Sequence, residues 1–369
     1  MEIKTKLAKS PLHDWHLKHG ATLMWDDNYP WTYTQGPAED YMKEYEAVRN
    51  GTGLLDLFSL VVYEVTGREA GKFIQRTFTN LIGDMAVGQV RYGAFVNRMG
   101  IMMDEGSIFK FSDERFIVIA NGPHLEWQMQ EYADGLDAKI ENITDKRATI
   151  GVQGPTSLET LQPLVNKDIS GLKFFRFDPE EVEIAGCKGW ISRTGYSGEK
   201  GYEVNVAYED ALTVWEALVD KGGVPFGVYA IEVLRAEAGL LLIYIDYRLN
   251  DMSPFDLSMD NYIKFHPDCV GTEALKEYQK VLPKRFKTLK IEGDELPDFH
   301  TGIYSGGEPV GLVKTVAKSP VCGCIALVMI ETPFAADGTK VEVQIDGKFV
   351  PAEVAPLSVF DPEKKKLRG

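Results

Sequence analysis

The sequence predicts an α+β protein that ends in a small β-barrel or sandwich, and three features support this fold class. Predicted strands and helices alternate without the strict βαβ rhythm of a dinucleotide-binding fold. The helices stop after Leu282-Pro283-Lys284-Arg285. Beyond that point short strands such as TLKIEG, GCIALVMIE and KVEVQIDG are separated by glycine turns, as in a small barrel or sandwich. We therefore predict a domain boundary at about residue 280, with residues 281–369 forming this C-terminal β-domain.

Composition excludes several classes of function. The chain has 369 residues and a formal net charge of −15, which argues against non-specific nucleic-acid binding and against an anionic membrane surface. Its four cysteines are scattered, so neither a disulfide framework nor a metal site is expected. The first residues contain no apolar segment typical of a signal peptide, and the longest apolar run, GLLLIYI, is too short to span a bilayer. These features predict a cytoplasmic protein without metal.

A first helix is predicted over PLHDWHLKHGA, because it starts at a proline and stops at Gly20. His13, His16 and His19 lie three residues apart on it. That spacing gradually rotates around a helix, and no carboxylate cluster accompanies the histidines. We interpret them as a solvated helix face rather than a metal site.

The stretch SRTGYSGEKGYEV, residues 192–204, is rich in glycine but does not fit a phosphate-binding loop. Its spacing is not G-x-G-x-x-G, and a strand pattern follows it where a phosphate site requires a helix N-terminus. The flanking segments CKGWIS and YEVNV both predict strands, so the stretch is a β-hairpin with a wide turn. On the second strand Glu203 faces opposite to Tyr202 and Val204. If Val204 faces a core, Glu203 faces solvent or a cavity.

Several stretches occur in one order along nearly the whole chain, and together they resemble the glycine-cleavage T-protein family, the tetrahydrofolate-dependent aminomethyltransferases and their relatives. The resemblance implies three domains packed like a cloverleaf around a central folate site. Residues 1–280 would form two intertwined α+β domains with ferredoxin-like elements, followed by the barrel. The stretches are PLHDWHLKHGA, RYGAFVNRMGIMMDEG, FIVIANGPHLEW, IGVQGPTSLETL, SRTGYSGEKGYEV, VLRAEAG, SPFDLSMDNYIKFHPDCVGTEAL, and GEPVGLVKT with FDPEKKKLR.

The resemblance also implies roles for individual residues. The family's catalytic aspartate is the second acid of a G-I-I-D-D stretch, which here is matched with Gly100-Ile101-Met102-Met103-Asp104. Asp104 then occupies the catalytic place, and Met103 replaces the first acid. A carboxylate behind this apolar run would be partly desolvated, which raises its pKa. A pterin edge presents adjacent N–H donors, which a carboxylate accepts as a fork. The residues matched to folate binding are Glu203, Tyr196, Asn121, Tyr92 and Arg193.

The sequence departs from the family on the side of the one-carbon donor. The family's D-V-S-H-M-G stretch is Asp56-Leu57-Phe58-Ser59-Leu60-Val61 here, so Ser59 replaces a histidine. Ile231 replaces an arginine of the family's G-A-R-D stretch. These changes favour a less polar donor and argue against an aminomethyl-lipoyl substrate and its carrier protein. We expect the substrate pocket to contain Phe58, Ser59, Met103 and Ile231.

Three functions remain open at this point. The favoured one is a monomeric or homodimeric demethylase that moves a methyl group from a small O-, N- or S-methyl compound to N5 of tetrahydrofolate. The second is a glycine-cleavage aminomethyltransferase. The third is a non-catalytic folate-binding protein of the iron–sulfur-repair type. That group has a cysteine in the equivalent hairpin, whereas this hairpin has none.

Overall fold

The computed structural model describes residues 9–23, 33–34 and 40–369. Its helices, in chain order, are α1 (His13–Lys18), α2 (Tyr41–Asn50), α3 (Ala70–Gln75), α4 (Leu125–Gln130), α5 (Ser157–Leu161), α6 (Ala211–Asp220), α7 (Val228–Ala238), α8 (Thr272–Val281) and α9 (Lys365–Arg368). Its strands are β1 (Thr22–Leu23), β2 (Tyr33–Thr34), β3 (Gly53–Asp56), β4 (Val61–Thr66), β5 (Val90–Val96), β6 (Met102–Ser112), β7 (Arg115–Ala120), β8 (Lys139–Asn142), β9 (Arg147–Gln153), β10 (Val182–Ile184), β11 (Cys187–Ser192), β12 (Gly201–Ala207), β13 (Val224–Pro225), β14 (Lys284–Ile291), β15 (Gly302–Ser305), β16 (Glu308–Ser319), β17 (Gly323–Glu331), β18 (Lys340–Ile345) and β19 (Lys348–Ala355).

The first sheet is an antiparallel five-stranded sheet in the order β5-β6-β7-β4-β8. Helices α3 and α4 contribute Phe73, Ile74, Leu125 and Met129 to a core beneath it. In β6 the side chains are buried continuously from Met102 to Gly106, so both faces of this strand are covered. The sheet therefore holds the start of β6 rigidly inside the protein.

The second sheet has six strands in the order β10-β11-β12-β9-β3-β13. All neighbours are antiparallel except β13 and β3, which are parallel. The predicted hairpin is present as β11 and β12, which place Glu203 opposite Ser192. On the far side of β12, Glu203 pairs with Gly151 of β9. Glu203 thus lies on an interior strand, which fixes its position from both sides.

The last six strands form a closed barrel in the order β14-β17-β16-β15-β18-β19, with β19 paired back to β14. In β18 the alternation of apolar and polar residues places Val341, Val343 and Ile345 inside. The barrel prediction is therefore confirmed. Helix α8 ends at Val281 and β14 begins at Lys284; the domain boundary at residue 280 stays a prediction. None of the helices in the described ranges is long and apolar enough to cross a membrane.

The interpretation of the α1 histidines as a solvated face was wrong for two of them. His13 and His16 are buried, at 5% and 1% exposure. The Nε2 atom of His16 lies 3.2 Å from Oδ2 of Asp56, at the end of β3. Its ring also packs edge-on against Trp215 of α6, with ring centroids 5.3 Å apart. Helix α1 therefore packs against the second sheet, which the spacing of its histidines alone does not reveal.

Candidate active site

A cavity of about 470 Å³ lies where the two sheets and the segment after the barrel meet. The first sheet contributes Tyr92 and Glu105, and the hairpin contributes Tyr196 and Glu203. The segment after the barrel contributes residues from Pro356 to Leu367. A cavity of this size, mostly apolar with a few polar groups aimed inward, is typical of a small-molecule site.

Glu105 is the carboxylate that β6 presents to this cavity. It is only 8% exposed, and its Oε1 accepts hydrogen bonds from Asn121 Nδ2 at 3.1 Å and Tyr247 Oη at 3.2 Å. The pKa of Glu105 is raised to about 7; burial is the largest cause and the negative charge of Asp104 acts in the same direction, whereas hydrogen bonds from Tyr92, Asn121 and Tyr247 oppose the shift. Near neutral pH this group can therefore both hold and release a proton.

Asp104 precedes Glu105 but does not line the cavity. It is fully buried, and its carboxylate accepts hydrogen bonds from Gly122 N at 2.8 Å and from Asn121 Nδ2 at 3.0 Å. Burial raises the pKa of Asp104 to about 6, against the effect of these hydrogen bonds. The structure thus places an acid pair at residues 104 and 105. Met103, which the sequence match set in the place of the first acid, lies in the core of the first sheet, and that match stays a prediction.

Glu203 lines the cavity from the second sheet. Val204 is fully buried in the core, so alternation along β12 turns Glu203 the other way, as expected from the sequence. Its Oε2 accepts a hydrogen bond of 2.5 Å from Thr194 Oγ1. Burial raises the pKa of Glu203, and the Thr194 bond opposes the shift. Within the described ranges no side chain forms a salt bridge with this carboxylate, so it can accept donors from a ligand.

Three other predicted residues also line the cavity. The ring of Tyr92 meets that of Tyr262 edge-to-face, with centroids 4.9 Å apart. Tyr196 donates from its hydroxyl to the carbonyl of Leu241, which fixes its ring beside the cavity. Asn121 lies between the two acids of β6 and donates to both. The structure therefore brings Tyr92, Asn121 and Tyr196 together with Glu105 and Glu203.

The glycines of the hairpin turn are explained by Gln153 at the end of β9. A Cβ atom on Gly195 would lie 2.0 Å from Gln153 Oε1, and one on Gly201 would lie 2.4 Å from it. The Gln153 amide donates to the carbonyl of Tyr202 at 3.1 Å and accepts from Ser197 Oγ at 2.8 Å. The turn therefore wraps around one buried side chain, which positions its cavity-facing residues.

Arg193 occupies a different place from the one expected for folate binding. It is 2% exposed and donates to the carbonyls of Gly201 and Leu367, each at 3.1 Å. It does not line the cavity but ties the hairpin to α9. Arg193 can therefore support the site by holding the hairpin at Gly201 and by holding Leu367, which lines the cavity.

The residues of the expected substrate pocket lie outside this cavity, so that pocket stays a prediction. None of its four residues, Phe58, Ser59, Met103 and Ile231, belongs to the cavity lining. Phe58 packs edge-on against Tyr208, and Ile231 is buried on α7 in the core. The apolar neighbours of Ser59, Leu57 and Leu60, line the cavity instead. The sequence reasoning also missed Glu105 and Thr194; an acid directly after Asp104 was the available signal for the first.

The comparison with family models decides the classification. Residues 12–267 match the GCVT N-terminal domain, and residues 284–361 match the glycine cleavage T-protein C-terminal barrel domain. The chain belongs to the glycine cleavage T-protein family. This confirms the resemblance inferred from the sequence. The T-protein family uses tetrahydrofolate as the acceptor of a one-carbon unit, so this chain is a tetrahydrofolate-dependent transferase.

Relatives match over nearly the full length of this T-protein family member. An aminomethyltransferase of Caldanaerobacter subterraneus subsp. tengcongensis is 31% identical over 371 residues and 98% of each chain. One of Bacillus subtilis is 32% identical over 369 residues, which cover 96% of this chain and 99% of the relative. The crystal structure of the glycine cleavage system aminomethyltransferase T from Bartonella henselae has a TM-score of 0.86, at 23% identity over 97% of this chain and 99% of that one. The predicted T-protein fold is thus confirmed.

Proposed function

We propose that this chain transfers the one-carbon unit of an aminomethyl group to tetrahydrofolate in the cavity between its sheets. Full-length similarity to proteins named aminomethyltransferase supports this donor over the methyl donor expected from the sequence. The replaced residues Ser59 and Ile231, which favoured a different donor, lie outside the cavity lining. A lipoyl carrier protein is then the partner that would deliver the group.

The cavity residues fit a pterin. Glu203 offers a desolvated carboxylate to a ring edge with adjacent N–H donors, and such charge-assisted pairs are strong. Thr194 orients this carboxylate through its hydrogen bond. The rings of Tyr92 and Tyr196 supply flat apolar surfaces beside it. These residues would hold the folate, so that the acid pair of β6, Asp104 and Glu105, would be available for the proton-transfer step.

The proposal rests on Glu105, a carboxylate that lines the cavity and has a raised pKa. Bound tetrahydrofolate would supply N5, the nitrogen that accepts the one-carbon unit. The carboxylate of Glu105 would hold or move the proton that this nitrogen or the departing group exchanges, because its pKa of about 7 matches neutral conditions. Leu57, Leu60 and Phe175 give part of the cavity wall an apolar surface, and an apolar surrounding strengthens such electrostatic effects. Asp104 would influence Glu105 through its charge, through the hydrogen bond that its Oδ1 accepts from the Glu105 backbone N–H, and through Asn121, which both acids share.

Demethylation of a small methylated compound is a second candidate, and the charges around the cavity favour it. Lys364 is the one basic residue among the described residues that line the cavity, whereas Glu105, Glu203 and Asp361 are acidic. A lining of carboxylates and phenol rings suits a neutral or cationic methyl donor, since aromatic faces attract cations. Such a donor would need no carrier protein.

One experiment separates the two donors. The protein is incubated with tetrahydrofolate and either an aminomethylated lipoyl carrier protein or a panel of O-, N- and S-methyl compounds. Mass spectrometry then identifies the folate product. The proposal expects 5,10-methylene-tetrahydrofolate from the carrier protein. Formation of 5-methyl-tetrahydrofolate from a small compound, without turnover of the carrier, would establish the second candidate instead.

A further inference from the structure

Tyr247 is a buried phenol next to the acid pair, in the loop that follows α7. It is 2% exposed and packs in the core together with Met252 and Phe255. It does not itself line the cavity. Burial raises its pKa well above the ordinary value, with the charges of Glu105 and Asp104 acting in the same direction, so its hydroxyl keeps its proton. Any role of Tyr247 in the reaction must therefore pass through another side chain.

The hydrogen bonds of Tyr247 indicate which side chain that is. Its Oη lies 3.2 Å from Glu105 Oε1 and 3.4 Å from Asn121 Nδ2. The amide nitrogen of Asn121 can only donate, and its two N–H groups have shorter contacts with Asp104 Oδ1 at 3.0 Å and Glu105 Oε1 at 3.1 Å, so the Tyr247 hydroxyl directs its own proton to Glu105. Asn121 Nδ2 also donates to the same Oε1 atom at 3.1 Å. Tyr247 and Asn121 thus both donate to one oxygen of the Glu105 carboxylate.

We propose that Tyr247 is a positioning residue that holds the Glu105 carboxylate in the orientation from which it serves the reacting atoms. The inference rests on the role proposed above for Glu105. With Oε1 held by Tyr247 and Asn121, rotation of the carboxylate is restricted in a residue that lines the cavity. Fixing a reacting group in this way lowers the cost of reaching the reactive geometry.

The same bond affects the proton affinity of Glu105. A phenol that donates to the carboxylate stabilises its charged form, so loss of this donor raises the pKa of Glu105. Asp104 acts in the opposite sense, through its negative charge. The titratable groups that face Glu105 from the surrounding elements are Asp104, Tyr92, Tyr196, Tyr247 and Tyr262. Since the four phenols are neutral at ordinary pH, Asp104 is the one of these that is charged near neutrality.

The test replaces Tyr247 with phenylalanine, which keeps the ring and removes only the hydroxyl. The titration of Glu105 is followed in the folate-free protein by ¹³C NMR of labelled glutamate, with the Glu105→Gln variant to assign the signal. We expect Tyr247→Phe to move this titration upward by about one pH unit. The corresponding limb of the pH–rate profile should move the same way, with a lower kcat and an unchanged KM for tetrahydrofolate.

Tyr278 offers a matched control. Its hydroxyl donates to both oxygens of Asp256, at 2.8 and 2.9 Å, and it does not line the cavity. Tyr278→Phe also removes a phenol–carboxylate bond and should lower stability, but should leave the Glu105 titration and the pH–rate profile in place. If Tyr247→Phe is poorly folded, 3-fluorotyrosine is placed at position 247 instead. It keeps the hydrogen bond to Glu105, and the fluorine makes its hydroxyl a stronger donor. It should move the titration downward.

The possible results separate this inference from the proposed function. A Glu105 titration that stays in place in both the phenylalanine and the fluorotyrosine proteins overturns the role of Tyr247. A Glu105→Gln variant with the full wild-type rate would instead overturn the proposed role of Glu105, whatever Tyr247 does to the titration.

Discussion

Asp104 and Glu105 are neighbours on β6, yet only Glu105 reaches the cavity. Asp104 is fully buried, and its Oδ2 accepts the backbone N–H of Gly122 at 2.8 Å. The two carboxylates remain linked, because Asn121 Nδ2 lies 3.0 Å from Asp104 Oδ1 and 3.1 Å from Glu105 Oε1. One acid is thus placed to contact a ligand, and the other to set its electrostatic surroundings.

Replacement of Glu105 by glutamine should reduce turnover strongly. The amide has nearly the same shape but cannot exchange a proton near neutral pH. A positioned acid or base contributes about 10²–10⁴ in rate, so a loss of that order is expected while folate still binds through Glu203. Single-turnover kinetics and calorimetry on the same protein measure both quantities. Equal losses of rate and folate affinity would make Glu105 a binding residue only.

Replacement of Asp104 by asparagine should act differently. Its negative charge raises the pKa of Glu105, so removing the charge should lower that pKa and move the matching limb of the pH–rate profile to lower pH. The rate at the new optimum should fall less than in Glu105→Gln. The expectation from the sequence, that Asp104 itself is the catalytic acid, requires the opposite order. Full pH–rate profiles of both variants decide between the two assignments.

The sequence predicted the orientation of Glu203 but not that of the acid pair, for a physical reason. On β12 the residues on either side of Glu203 are both fully buried, and so alternation identifies its face. On β6 every residue from Met102 to Gly106 is buried, which hides the alternation. A register shift between Phe95 and Val96 of the paired strand further disturbs the alternation of side-chain directions along β6. The contribution of Lys364 and Leu367 to the lining depends on tertiary placement, which local patterns do not encode.

Replacement of Glu203 by glutamine should weaken folate binding. A hydrogen bond to a charged group contributes roughly 1.5–3 kcal/mol, which corresponds to a loss of roughly 10- to 100-fold in affinity. Glu183→Gln is the matched control, because Glu183 is an exposed strand residue of the same sheet. Calorimetry with tetrahydrofolate should show a loss in the first variant alone. Equal affinity in both variants would remove Glu203 from the folate site.

Replacement of Arg49 by methionine should destabilise the protein. Its guanidinium contacts Glu237, lies 3.1 Å from Glu199 Oε1, and stacks on the Phe360 ring at 3.7 Å. Both glutamates are buried, so the variant leaves two buried carboxylates without this cation, at a cost of about 3–5 kcal/mol. Arg68→Met, which breaks the exposed pair with Asp137, should cost far less, because solvent screens that pair. Urea unfolding of both variants measures the difference, and similar costs would contradict the prediction.

The stability of the folate-free protein should depend on pH through Glu105. Its pKa is raised from 4.5 to about 7 in the fold, so folding favours the protonated form. The contribution of Glu105 to the free energy of unfolding is complete below about pH 4.5 and is lost as the pH rises through 7. It amounts to roughly 3 kcal/mol. Glutamine does not titrate, so Glu105→Gln should gain about this much relative to wild type between pH 4.5 and pH 8.

Unfolding free energies of both proteins across this pH range test the prediction. Burial also raises the pKa of Asp104, but Asp104 is present in both proteins, so most of its effect cancels in the difference. Glu183→Gln, at an exposed position, should follow the wild-type curve throughout. A constant difference between wild type and Glu105→Gln would mean that Glu105 titrates alike in the folded and unfolded chain. It would then lack the proton affinity that the proposed chemistry requires.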